Sequence, residues 1–194
     1  MKKPDYLLLV NADHRLPEDF EDTIELITAQ NAAGGQYKIE KKTYEAFLRL
    51  QEDLLKEEGL QTDIISVYRT IEQQVRTFEN YREKHGLDYA NKYVAKPGHS
   101  EHHTGFAIDV GIVLEGKFYR SIEELLSVDH LFQIIHKKLP QYGFILRYPE
   151  GKRELTKVGY EPWHFRYIDN PEIAREITDR GITFEEYWEE KYGI

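Results

Sequence analysis

The stretch 97-PGHSEHHTGFAIDV-110 sets three histidines within five residues and then puts an aspartate in an apolar run. Gly98 and Gly105 bracket the histidines and permit sharp backbone turns on either side of them. Residues 105–113, GFAIDVGIV, read as a strand, with Asp109 between Ile108 and Val110. A lone buried carboxylate there is costly, so Asp109 calls for a cation, a donor or a metal, unless it lies on the strand's exposed face. A second supply of ligating groups follows in 161-EPWHFRY-167, with Glu161 and His164. His99, His102, His103, Asp109 and His164 offer imidazole nitrogen and carboxylate oxygen, the donors that suit zinc when thiolates are missing. Glu161 is left over as a general base for a metal-assisted hydrolase. On a continuous strand 103 and 109 share a face and 102 does not, so periodicity alone selects His103.

The bulk composition limits the alternatives. The 194 residues contain no cysteine, so disulfides and thiolate metal sites are excluded. A net charge of −9 without a Lys/Arg cluster argues against nucleic acid as a partner. The acidic residues of 51-QEDLLKEEG-59 and 184-FEEYWEEKYG-193 read as solvated helix faces. Fourteen tyrosines and nine phenylalanines favour a packed domain with a surface groove. No apolar run is long enough to span a membrane. The early run YLLLV (6–10) is too short for a signal-peptide core. With Met1 as the native start the expected location is cytoplasmic; a leader removed upstream would place the protein in the cell envelope.

Along the chain, 6–11 (YLLLVN) reads as a buried strand and 41–59 as a helix ended by Gly59. Residues 62–70 read as a strand, with Thr70 as N-cap of the helix that follows. A long loop with room for one short helical turn leads to the histidines. GKFYRS is the hairpin return of 105–113, IEELLS and DHLFQIIHKKLPQYG are helical, and FILRYP is a strand. In 159–168 the strand begins after Pro162, which puts Glu161 ahead of it. Two helices close the chain over 171–192. With no repeated βαβ units, the expectation is α+β, one domain over 1–194, with a central, mostly antiparallel sheet flanked by helices.

SEHHTGFAIDV fits S-x-H-x-x-G-x-A-x-D, EPWHFRY fits E-x-W-H, and SVYRT followed by Gln74 fits S-x-Y-R-[ST]. In this pairing and order the sequence resembles the VanY-type D-alanyl-D-alanine carboxypeptidases, a group that includes D,D-dipeptidases and the hedgehog signalling domain. The resemblance runs from Tyr6 to Ile168. It implies that His102, Asp109 and His164 bind Zn2+, that Glu161 is the general base, and that Arg69 holds substrate or the developing oxyanion. It implies a peptidoglycan stem peptide or precursor ending in D-Ala-D-Ala as the partner, and the protein is expected to be a monomer. Gly105 breaking the strand would reconcile His102 with the alternation that favours His103.

Other positions keep two readings. Arg69 could form an ordinary surface ion pair, Ser100 could be a turn residue or a substrate contact, and Gln74 could be a substrate contact or an exposed helical glutamine. Trp163 reads as packing, while His14, His85, His130 and His136 read as surface or helix residues. His99 and His103 could line the site. Competing functions are a D,D-dipeptidase, an L,D-carboxypeptidase, a non-catalytic zinc-binding module and a non-haem iron facial triad. The triad class usually places its first histidine and acid closer together, and it has no need of Glu161.

Overall fold

A computed structural model describes residues 3–32 and 34–193. Its centre is a five-stranded antiparallel sheet in which β3 (Gln61–Ser66), β4 (Ala107–Leu114), β7 (His164–Tyr167) and β6 (Phe144–Leu146) lie in that order. The short β5 (Lys117–Tyr119) pairs with the far end of β4. Every pairing is antiparallel, and helices pack around the sheet, which is the α+β arrangement expected. A separate hairpin precedes it, β1 (Leu26–Gln30) with β2 (Gln36–Glu40). Its turn is closed by the Gly35 N–H donating to the Asn31 side chain at 2.7 Å.

Local chemistry fixes the helices. In α1 (Lys41–Glu58) the Glu40 carboxylate caps the first turn by accepting from the Lys42 and Thr43 N–H groups, and Gly59 ends it in the left-handed region. The buried positions Phe47, Leu50 and Leu54 recur at helical spacing and face the core. Thr70 caps α2 (Ile71–His85) as expected, in a reciprocal capping box with Gln73. The long loop holds α3 (Leu87–Tyr93) and a 3-10 turn over Glu101–Thr104. After β5 come α4 (Ile122–Ser127) and α5 (Asp129–Lys138), and α6 (Arg153–Thr156) precedes β7. The closing helices are α7 (Pro171–Arg180) and α8 (Phe184–Tyr192), where two were expected.

Residues 6–11 are not the strand their apolar run suggested. Tyr6, Leu9 and Val10 are buried, but the backbone there is irregular. The Tyr6 and Leu8 carbonyls accept from the Arg166 guanidinium at 3.0 and 2.8 Å. A buried side chain thus supplies the donors that a neighbouring strand would otherwise give. Among the described residues, no helix is long and apolar enough to cross a membrane.

Candidate active site

The sheet register gathers the site. Asp109 lies opposite His164 on β7 and opposite Ser66 on β3, after an irregularity in β3 between Ile64 and Ser66. Ser66, Asp109 and His164 therefore form one row across three adjacent strands. His102 comes to this row from the 3-10 turn. Gly105 adopts φ 73°, and a side chain there would press on the Glu40 backbone N at 3.1 Å. The strand starts only at Ala107, so its alternation does not reach back to the histidines.

His102 Nε2 lies 3.1 Å from one Asp109 oxygen, and His164 Nδ1 lies 2.8 Å from the other. Ligand atoms of the three residues all fall within 4.8 Å of one another. A tetrahedral ion with bonds of ~2.0–2.2 Å keeps its ligands about 3.3–3.6 Å apart, so both histidines already stand close to that range from Asp109 and the set as a whole needs only a small adjustment to close on an ion.

The hydrogen bonds behind the ligands test the fit. His102 Nδ1 donates to the Val67 carbonyl at 2.7 Å, which leaves Nε2 to face Asp109. Burial lowers the His102 pKa to about 4, although Asp109 works against it. A neutral His102 thus points a bare lone pair at an acceptor oxygen, and a cation between them removes the conflict. Burial alone would raise the Asp109 pKa, but His102 and His164 outweigh it and hold the carboxyl well below its usual range. His164 Nε2 and Glu101 Oε2 are both buried without a hydrogen-bond partner, 3.5 Å apart. With Nδ1 given to a metal, Nε2–H points at Glu101, the carboxylate–histidine arrangement common behind metal ligands. The donor set, the lone-pair conflict and the waiting carboxylate all fit zinc.

His103, the choice of periodicity, is fully engaged elsewhere. It accepts from the Gly98 N–H at 3.0 Å and donates through Nδ1 to the Arg69 carbonyl at 2.6 Å. His103→Ala leaves both backbone groups short of a partner, so we expect a loss of about 2 kcal/mol or more with zinc content unchanged. Denaturant melts and a metal assay on the purified variant check both halves. His99 donates to or accepts from nothing in the triad; its Nδ1 meets the Asn11 carbonyl at 2.8 Å.

Glu161 stands just before β7, on a turn in which the His164 N–H donates to its carbonyl at 3.2 Å. His136, read as a helix residue, steadies this turn from α5 by donating from Nε2 to the Pro162 carbonyl at 2.8 Å. The Glu161 carboxylate is buried, 3.8 Å from His164 Nδ1, and lines a cleft shared with Arg69, Ser100, His102, Asp109 and Trp163. Burial raises its pKa to about 8, against the pull of His164, while Asp109 adds to the rise. Arg69 Nη1 donates to Gln74 at 2.8 Å and Nη2 to Ser66 at 2.8 Å, and Nη2 is 3.9 Å from Asp109. Gln74 is not an exposed helical residue. It is 1% exposed and donates to the Ala95 carbonyl at 2.7 Å while holding the Arg69 fork. Ser100 is buried beside the cleft, and Trp163 belongs to the core as expected.

Sequence reasoning passed over Glu101, Arg147 and Arg166, whose side chains are fully buried behind His164. Arg147 Nε donates to Glu101 Oε1 at 2.7 Å, and Arg166 Nη1 lies 3.1 Å from the same oxygen. A signal was there: Arg166 sits within β7 and Arg147 directly follows the apolar β6, the kind of charged residue beside apolar ones that drew attention to Asp109.

An antiparallel sheet that brings two histidines and an aspartate together, with a buried glutamate in the same cleft, is the arrangement of a metal-dependent hydrolase. Residues 36–170 match the VanY family, described as D-alanyl-D-alanine carboxypeptidase, and the chain belongs to that family. It is 40% identical over 143 residues to the bifunctional D-Ala-D-Ala dipeptidase and D-Ala-D-Ala carboxypeptidase VanXYC of Enterococcus gallinarum, covering 70% of this chain and 72% of that one. A vancomycin-resistance D,D-pentapeptidase VanY variant solved with Zn(II) superposes with a TM-score of 0.74 at 28% identity, over 94% of this chain and 98% of that one. The LD-carboxypeptidase LdcB gives 0.76 at 32% identity, over 96% and 87%.

Proposed function

We propose that the protein is a zinc carboxypeptidase that removes the terminal D-alanine from peptidoglycan stem peptides ending in D-Ala-D-Ala. The observation that carries this reading is the meeting of the triad, Glu161 and Arg69 in one cleft. The ion would be held by His102 Nε2, the Asp109 carboxylate and His164 Nδ1. Bound there, zinc supplies Lewis-acid polarisation of the scissile carbonyl and lowers the pKa of water to about 7.

Glu161 takes a proton from the attacking water on its carboxylate and passes it to the departing amine nitrogen as the peptide C–N bond breaks. Arg69, held in place by Ser66 and Gln74, receives the substrate's terminal carboxylate through donors those two residues do not use. Ser100 and Gln74 contribute to the substrate side of the cleft, Gln74 mainly by orienting Arg69.

One observation favours peptides longer than a dipeptide. The cleft adjoins a second hollow lined by Asn11, Asn91, Lys96 and His99, and both share Val94, Ala95, Tyr148 and Val158. The upstream part of a stem peptide has room there. The test is mass spectrometry of products from a pentapeptide stem ending in D-Ala-D-Ala, from its C-terminal amide, and from free D-Ala-D-Ala. Release of one D-alanine from the free acid, with a rate on the amide lower by about 10²-fold, is expected for loss of a charge-assisted bidentate contact. Equal rates on acid and amide remove Arg69 from its role. Cleavage of the dipeptide alone makes the enzyme a dipeptidase.

A further inference from the structure

The charged network behind His164 does not stop at Glu101. Arg147 spends Nε on Glu101, and its two terminal nitrogens donate to Glu185 of α8 at 2.8 and 2.5 Å. Glu185 in turn accepts from the Asn11 side chain at 3.1 Å. Both guanidinium groups flank the Phe184 ring, at 5.6 Å for Arg147 and 5.3 Å for Arg166. Glu185 and Asn11 lie outside residues 36–170, the segment that matches the family. A continuous path thus runs from His164 through Glu101 and Arg147 to the last helix.

We infer that Glu185 is a positioning residue for His164, acting through Arg147 and Glu101. This rests on the zinc site proposed above. Glu101 has two carboxylate oxygens. Oε1 faces both arginines, and Oε2 faces His164 Nε2. Glu185 occupies the far end of the Arg147 fork and so leaves that arginine with one bond to Glu101 through Nε. Without Glu185, the Arg147 terminal nitrogens are buried donors with no acceptor, and Glu101 is the nearest remaining carboxylate on the fork. Drawing Oε2 towards Arg147 takes it from His164, whose ring then loses its orientation. Charge acts the same way. Two carboxylates balance two guanidinium groups, and removing Glu185 leaves one buried positive charge uncompensated close to the cation site.

Zinc affinity, by competition with a chromogenic chelator, is measured on the full chain together with the visible spectrum of the cobalt-substituted protein. Wild type, Glu101→Gln, Glu185→Gln, Glu185→Ala and Ile177→Ala are compared, with thermal melts on each. Ile177 is buried in the same cluster as Phe184 and has no polar group, so it controls for lost packing around α8. Both Glu185 variants are expected to bind zinc about 10-fold more weakly, the low end for residues behind a metal ligand, and Glu101→Gln up to about 100-fold. The cobalt spectrum shifts in these variants and not in Ile177→Ala, which loses melting temperature alone. Wild-type affinity and spectrum in both Glu185 variants overturn the inference and leave the zinc site standing. So does an Ile177→Ala loss of affinity equal to that of Glu185→Gln. A wild-type chain that binds no zinc overturns the zinc site itself.

Discussion

Glu161→Gln is expected to keep the zinc content and melting temperature of the wild type while kcat falls by at least about 10²-fold, with a smaller change in KM. Glutamine matches glutamate in volume, so the turn before β7 and its bond from His136 to Pro162 persist. The triad does not need this carboxylate as a ligand: its shortest contacts, 2.8 and 3.1 Å, are internal, and Glu161 stands 3.8 Å from His164. What the amide cannot do is accept a proton. Burial presses the Glu161 pKa up to about 8, and His164 opposes that rise. A positive ion in the triad acts in the same direction as His164, favouring the ionised, proton-accepting form. The assay is D-alanine release by the purified variant beside a zinc determination. Zinc lost with turnover would make Glu161 a ligand, and unchanged turnover would assign the base elsewhere.

Removing a ligand should have the second largest effect. His102→Ala, Asp109→Ala and His164→Ala each leave two protein groups, too few to hold the ion, and each should lose most of its zinc and its activity. Stability follows by linkage. At a free zinc concentration about 1,000 times Kd, an ion that binds only the folded state adds about 4 kcal/mol. For a chain of this size that raises Tm by roughly 8–16 °C. The wild type should show such a rise on adding zinc to the chelated protein, and the three variants should not. Wild-type zinc content in all three would remove the site. Retention by His102→Ala alone would exchange its role with a neighbouring group.

The capped helices and the candidate ligand segments were legible in the sequence because the signals are local. Thr70 and Gln73 cap α2 with their own side chains, and Gly59 ends α1 by its left-handed backbone. The choice between His102 and His103 was not settled by spacing, since strand alternation assumes a strand and those residues occupy a 3-10 turn. The run Tyr6–Asn11 looked like a strand because its apolar side chains are buried. Burial does not say which group satisfies the backbone, and here it is Arg166, 158 and 160 residues away in the chain. Glu101 passed as a spacer between Ser100 and His102 because its partners, Arg147 after β6 and Arg166 in β7, come from distant parts of the chain. No local pattern links Asn11 to Glu185, 174 residues later.

The row Ser66–Asp109–His164 decides where the gene can change length. A one-residue insertion or deletion within β4 ahead of Asp109 would set Ile108 or Val110 opposite His164, and neither can bind a cation. Between β4 and β7 the chain makes a long excursion, residues 115–163, that leaves the row and rejoins it. Segments there can lengthen at a small entropic cost that grows only logarithmically with their size. That excursion also supplies Tyr148, Val158 and Glu161 to the walls of the cleft. The loops between β5, α4, α5, β6 and β7 can therefore lengthen and reshape which peptides fit, while β6, Arg147 and Glu161 within the excursion stay as fixed as the row itself.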